Sequence, residues 1–107
     1  MPTVDEVFTE MGTRLQANPD RIQGMNATYQ FDITGDGGGQ YFAKLENGSG
    51  QVEKGQSDSP NITITMSDQD FLQLIEGKLD GTMAFMSGKL KVKGDMGLAM
   101  KLQTILR

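Results

Sequence analysis

From Ala27 to Met66 apolar and polar residues alternate in short runs, separated by glycine-rich or Asn-Gly breaks. In the first run, residues 27–34, Ala27, Tyr29, Phe31 and Ile33 fall on one side and Thr28, Gln30, Asp32 and Thr34 on the other. A period of two describes a strand with one face in a core and one face in water. The stretch 35–39, with four glycines, is a loose connection to a return strand over 40–46, whose inward residues are Tyr41, Ala43 and Leu45. Asn47-Gly48 is a two-residue hairpin signal, because both residue types tolerate positive φ. A weaker third strand follows at 50–54 with Val52 inward. After a polar loop at 55–60, a fourth strand at 61–66 points Ile62, Ile64 and Met66 inward.

The flanking segments change to helical period. Val4, Val7, Phe8, Met11 and Leu15 define one face of a helix over 3–16, opened by a capping box between Thr3 and Glu6. Residues 18–20 break it, and a short turn over 20–23 ends at Gly24. Ser67 and Asp70 form a second expected capping box for a helix to residue 76, in which Phe71, Leu72 and Ile75 share a face and Leu74 widens it. Gly77 suits its left-handed stop. Asp80 caps a short helix that ends at Met86, before Gly88. Residues 89–93 alternate again, with Lys89, Lys91 and Lys93 outward on an outer strand, where lysine discourages edge pairing. A single last helix is expected over 96–106, with Leu98, Ala99, Leu102, Ile105 and Leu106 on its main face and Met96 and Met100 on a flank. The order of elements specifies an α+β fold: one sheet with helices over one face, in a single domain over 1–107.

The chain has neither cysteine nor histidine. Disulfides, thiol chemistry and the usual proton shuttle and neutral metal ligand are therefore excluded. The acidic residues Asp32, Asp36, Glu46, Glu53 and Asp58 lie on strand faces or in loops, with nothing to pair them for acid–base work. Asp68 and Asp70 read as helix-start residues. Gly37 to Gly39 lacks the residues of a phosphate loop. Net charge is −4, which gives no general attraction to nucleic acid. The lysine strand is read first as a solvated face, with contact to acidic headgroups as the alternative. No signal peptide and no stretch near the roughly 18 apolar residues of a membrane span occurs. The lack of cysteine favours an intracellular place, a cytoplasmic location is expected, and a peroxisomal one is disfavoured because the C-terminus lacks the Ser-Lys-Leu tripeptide.

The last third is rich in soft apolar residues: Met83, Phe85, Met86, Met96 and Met100 stand among Leu74, Ile75, Leu90, Leu98, Leu102 and Ile105. Methionine adapts to irregular space. The final helix is apolar on more than one side, so a ligand, a partner or a wide core contact lies beside it. An ordinary core with some surface methionine is the plainer reading of the same residues.

The segment Ile62-Thr63-Ile64-Thr65-Met66-Ser67-Asp68-Gln69-Asp70-Phe71, the Gly77-Lys78-Leu79-Asp80 turn and, most closely, the run from Ala84 through Gly88-Lys89-Leu90-Lys91-Val92-Lys93-Gly94-Asp95 to Gln103 resemble the sterol carrier protein 2 family. The hairpin at Gly48-Ser49-Gly50-Gln51-Val52 fits as well, and the resemblance covers essentially the whole chain. It implies a twisted five-stranded sheet covered by helices, enclosing an apolar tunnel for a fatty acid, fatty acyl-CoA, phospholipid or sterol-like lipid. It implies that the helix at Phe71, the segment Met83–Met86 and the final helix line or lid that tunnel. The residues expected at the lipid site are Phe31, Phe71, Leu72, Ile75, Met83, Phe85, Met86, Leu90, Met96, Leu98, Met100, Leu102 and Ile105. The expected function is non-catalytic binding and transfer of a long-chain lipid by a monomer. It needs no cofactor, metal or nucleic acid, and touches membrane surfaces transiently. The alternative is an accessory structural or protein-interaction domain of a lipid-metabolising system.

Overall fold

All five alternating segments enter one sheet. The computed structural model describes residues 2–106, without the side chains of Arg21, Gln103 and Thr104. In chain order the elements are α1 (Val4–Ala17), a 3-10 turn (Pro19–Ile22), β1 (Ala27–Thr34), β2 (Gly39–Glu46), β3 (Ser49–Lys54), β4 (Ile62–Ser67), α2 (Asp68–Ile75), α3 (Gly81–Met86), β5 (Lys91–Gly94), α4 (Met96–Met100) and α5 (Leu102–Leu106). The strand order is β3-β2-β1-β4-β5. β1, β2 and β3 form an antiparallel meander, β4 runs parallel to β1, and β5 closes the far edge antiparallel to β4. The register sets Phe31 between Tyr41 and Ile64, and Tyr29 between Ala43 and Ile62. One face of the sheet is thus a continuous apolar floor. The β2–β3 turn has φ +50° at Asn47 and +82° at Gly48, the backbone that a two-residue hairpin of this type requires.

The helices cover that floor. Phe8 of α1 stacks on Tyr41 at 4.1 Å and on Phe71 of α2 at 5.0 Å, and meets Phe31 at 5.2 Å in tilted geometry. Such aromatic pairs add about 0.5–1.5 kcal/mol beyond the area they bury. α1 lies against β3 with Gly12 facing Val52, and a Cβ at Gly50 would press on Leu15 and Ile22 at 3.0 Å. The N-terminal capping box is present, with Thr3 accepting from the Glu6 N–H and Glu6 accepting from the Thr3 N–H, both at 3.1 Å.

Four local expectations change. The second capping box forms only in its forward half: Ser67 Oγ accepts from the Asp70 N–H at 3.1 Å. The loop anchor there is Asp68, which accepts from the N–H groups of Gln69 and Gly37. The lysine strand begins at Lys91, because the N–H groups of Lys89 and Leu90 both turn back onto the Ala84 carbonyl. The outer face of β1 is not uniformly wet: Gln30 is buried under the 55–57 loop. The final helix is broken at Lys101, whose N–H donates to the Leu98 carbonyl in a tight three-residue step, so two five-residue helices replace one.

Candidate functional site

Short helices that bury little of their own surface leave a hollow beside β5. Asp80 starts α3 by accepting from the Met83 N–H at 3.0 Å. Ala84 is the buried residue of that helix, while Met83, Phe85 and Met86 are exposed. The turn after α3 folds onto the Ala84 carbonyl and drives Leu90 inward. Gly94, at φ +116°, then passes so close to Asn61 that a Cβ would stand 2.5 Å from its carbonyl oxygen. Asp95 starts α4 by accepting from the N–H groups of Gly97 (2.8 Å) and Leu98 (3.3 Å). The Tyr29 hydroxyl, rising from the sheet floor, donates to the Leu98 carbonyl at 2.6 Å and fixes the height of α4.

Between these elements lies a cavity of about 430 Å³. Leu74 of α2, Leu90 and Val92 form its inner wall, Leu102 and Leu106 of α5 one side, and Ala99 and Met96 the α4 side. Gly81, Thr82 and Phe85 of α3 stand opposite, and Met100 completes the rim. Phe85, Met96 and Met100 are solvent-exposed, Met100 at 86 %, so the cavity opens to solvent where they stand. Among the described residues no charged side chain lines it, and the Thr82 hydroxyl is the one polar side-chain group there. A concave apolar site with few polar groups is the usual form of a small-molecule pocket.

The titratable groups with displaced pKa values lie away from this lining. Hydrogen bonds from the backbone and side chain of Thr3 hold the Glu6 carboxyl below its ordinary value. Burial, and then the neighbouring Asp5 carboxylate, push Tyr41 up. Burial, with a smaller contribution from Asp95, pushes the Tyr29 phenol up to about 12, so it stays a neutral donor to Leu98. Among the described residues no cluster of three acidic groups is placed to hold a metal ion, and no helix is long and apolar enough to cross a membrane.

Of the expected site residues, the structure brings Phe85, Leu90, Met96, Met100 and Leu102 together around the cavity. Phe31 and Phe71 are instead consumed by the Phe8 aromatic stack. Leu72, Ile75 and Leu98 are partly buried against the core, and Ile105 is fully buried in it. Met83 and Met86 are exposed on α3 outside the lining. The lining also includes Leu74, Val92, Ala99 and Leu106, whose inward direction was legible in the periodicity. Gly81 and Thr82 were not legible, since a small residue after a cap looks like any helix start.

Residues 8–107 match the family model described as the SCP-2 sterol transfer family. The chain is 40 % identical over 104 residues to hydroxysteroid dehydrogenase-like protein 2 of Bos taurus, which covers 96 % of this chain and 24 % of that protein. The chain thus spans about a quarter of the length of that relative, and 22 % of its Xenopus counterparts. Among solved structures, the sterol carrier protein domain 2 of Helicoverpa armigera superposes with a TM-score of 0.78 at 32 % identity, over 94 % of this chain and 82 % of that one. Palmitated SCP2L2 of Aedes aegypti gives a TM-score of 0.81 at 26 % identity, over 99 % and 96 %. Family model, fold and sequence agree along nearly the entire chain, which belongs to the SCP-2 sterol transfer family.

Proposed function

We propose that the chain binds one long-chain acyl lipid with its tail in the cavity beside β5, and carries it between membranes without chemical change. The observation that carries this reading is the lining: eleven described residues, drawn from α2, α3, β5 with the residue before it, α4 and α5, none of them charged, around about 430 Å³. A predominantly apolar, uncharged lining accepts a hydrocarbon tail and discriminates little among headgroups, which would stay at the exposed Met96 and Met100 rim. The palmitated Aedes relative, with the same fold over nearly its full length, supports an acyl chain as the occupant. Where a longer protein carries this domain, as in the dehydrogenase-like relatives, the domain would hold a lipid for its neighbour rather than react with it.

The test is titration of the whole chain with a fluorescent fatty acid, in buffer with and without chelator. Saturable one-to-one binding, unchanged by chelator and weakened by Leu90→Gln, is the expected result. Absence of a saturable site would point to a structural or protein-interaction role instead.

A further inference from the structure

We propose that the exposed α3–α4 surface around the cavity mouth is a docking face for anionic lipid bilayers, with Met83, Met86 and Met100 entering the interface and Lys89 and Lys101 meeting acidic headgroups. The proposal rests on the reading of the cavity as a lipid-tail site and names the surface from which a tail would enter it.

Two independent features of the molecule carry it. The first is apolar exposure. Met83, Phe85, Met86, Met96 and Met100 are exposed at 66, 45, 78, 50 and 86 %, and among the described residues they are the large apolar side chains the fold leaves in water. They sit on the two short helices α3 and α4 that flank the cavity, and three of them border its opening. Contiguous exposed apolar surface of this kind marks an interaction site rather than ordinary surface variation.

The second is charge segregation. Residues 1–76 carry four basic and twelve acidic side chains, a net −8, whereas residues 77–107 carry six basic and two acidic, a net +4. The fold carries much of this division into space, although α5 of the basic part also packs on α1 and α2 of the acidic part supplies Leu74 to the cavity. α1, with Asp5, Glu6 and Glu10 against Arg14, lies over β3 at one edge of the sheet. The elements that surround the cavity mouth gather at the β5 edge. Of the two acidic residues in the basic part, Asp80 and Asp95 are both engaged as helix caps. Lys89, Lys91, Lys93 and Lys101 form no ion pair among the described residues. Lys89 follows α3 directly and Lys101 directly follows Met100, so cations flank the methionines in the chain. An acidic protein with a basic, apolar-tipped end is oriented by an anionic membrane surface, which attracts the basic end and repels α1. An anionic bilayer, rather than a protein partner, is favoured because methionine contributes burial without any fixed geometry and the lysines contribute point charge without a directional fork.

The experiment is co-sedimentation of the whole chain with phosphatidylcholine vesicles, with and without phosphatidylserine, alongside fatty-acid probe titration in vesicle-free buffer. The unmodified chain is expected to prefer the phosphatidylserine vesicles. Neutralising Lys89→Gln or Lys101→Gln should weaken that binding about fivefold each, and less so as salt rises. The pair Met83→Ser, Met86→Ser should weaken it at least about tenfold. Lys44→Gln, on the outer face of β2, should leave it unchanged. Met83 and Met86 do not line the cavity, so the serine pair should bind the probe as the unmodified chain does. Equal partitioning of all variants, or no preference for phosphatidylserine, would overturn the proposal. So would a concentration-dependent dimer that the serine pair abolishes while vesicle binding stays intact, which would make the patch a self-association face. Vesicle docking that follows these variants in a chain that binds no probe would support the docking face and refute the cavity reading.

Discussion

The Tyr29 hydroxyl reaches across the core to the Leu98 carbonyl and donates a 2.6 Å hydrogen bond there. That oxygen also accepts from the Lys101 N–H where α4 ends. One bond therefore joins the central strand to the helix that forms a cavity wall. Around it the distinctive local choices converge on the same helix: Gly94 and Asp95 start it, Lys101 ends it, and Met96, Ala99 and Met100 present it to the hollow.

Tyr29→Phe should lower stability by about 0.5–1.5 kcal/mol, read from the urea midpoint at neutral pH, because it deletes one buried hydrogen bond and leaves the carbonyl one partner. The pH dependence has a definite sign. The folded phenol titrates near 12 against an ordinary 10.0, so the folded state holds the proton more tightly. Stability from Tyr29 is present below pH 10 and is lost as pH rises toward 12. The margin of the unmodified protein over Tyr29→Phe should shrink across that window. A margin that grows with pH would show that the hydroxyl is not the donor.

Gly94→Ala and Gly88→Ala separate backbone conformation from crowding. Both positions have positive φ, +116° and +83°. A Cβ at Gly88 meets nothing within 4 Å, so only the left-handed conformation opposes it, about 1–2 kcal/mol. A Cβ at Gly94 would lie 2.5 Å from the Asn61 carbonyl oxygen and 3.0 Å from the Ile62 Cα. Thermal melts should place Gly94→Ala well below Gly88→Ala, because β4 must also move.

Gln30→Leu tests a buried polar group that pattern reading sends outward. Gln30 is 1 % exposed. Its amide oxygen accepts from the Ser57 N–H at 2.8 Å, and its amide nitrogen donates to the Gly55 carbonyl and to Asp32, both at 3.2 Å. Leucine leaves the loop groups without these partners, so a loss of about 1–3 kcal/mol is expected. Hydrogen exchange should show the Ser57 amide losing protection while β1 keeps its own.

Gln30 also shows where sequence reading stops. The period of two placed Tyr29, Phe31 and Ile33 on the core side, and the register bears that out. It placed Gln30 on the wet side, since a loop such as 55–60 has no periodicity to say that it folds over the sheet. The final helix failed differently. Leu98, Leu102 and Ile105 follow helical spacing, but the helix breaks at Lys101, where the Leu98 carbonyl accepts both the Lys101 N–H and the Tyr29 hydroxyl, a contact from a distant strand that periodicity does not register. Phe71 has the right spacing to face inward, and it does, but toward Phe8 rather than toward the cavity. Periodicity gives the side a residue faces, and packing decides what it meets there.

Leu102 and Met100 should respond in opposite ways. Leu102 is 6 % exposed and lines one side of the cavity, so Leu102→Ala should cost about 2–5 kcal/mol. Met100 is 86 % exposed, so Met100→Ala should change stability by no more than about 0.5 kcal/mol. Its side chain borders the cavity, and Met100→Gln should weaken a fatty-acid probe by placing an amide beside the tail. Urea midpoints without ligand, paired with probe affinities, read both effects. A probe bound equally well by Met100→Gln would place the tail deeper, against Leu74 and Leu90.

The length of the preferred tail follows from the cavity. Its volume is about 430 Å³. Leu90 bounds the hollow on its inner side and it opens at the Met96 and Met100 rim, so it encloses a limited length of tail. Each methylene moved from water into it should add about 0.8 kcal/mol, or roughly a fourfold gain in affinity. A series of saturated fatty acids should therefore tighten in even steps, carbon by carbon, until the hollow is filled. Beyond that length added carbons emerge at the Met96 and Met100 rim and should gain much less. Leu90→Ala enlarges the inner wall, so it should move the break in the series to a longer acid while lowering protein stability. Isothermal titration across the series in both proteins measures the position of the break. If affinity keeps rising evenly well past the filled length in the unmodified chain, the tail does not end in this cavity. If the break fails to move in Leu90→Ala, Leu90 does not bound the tail.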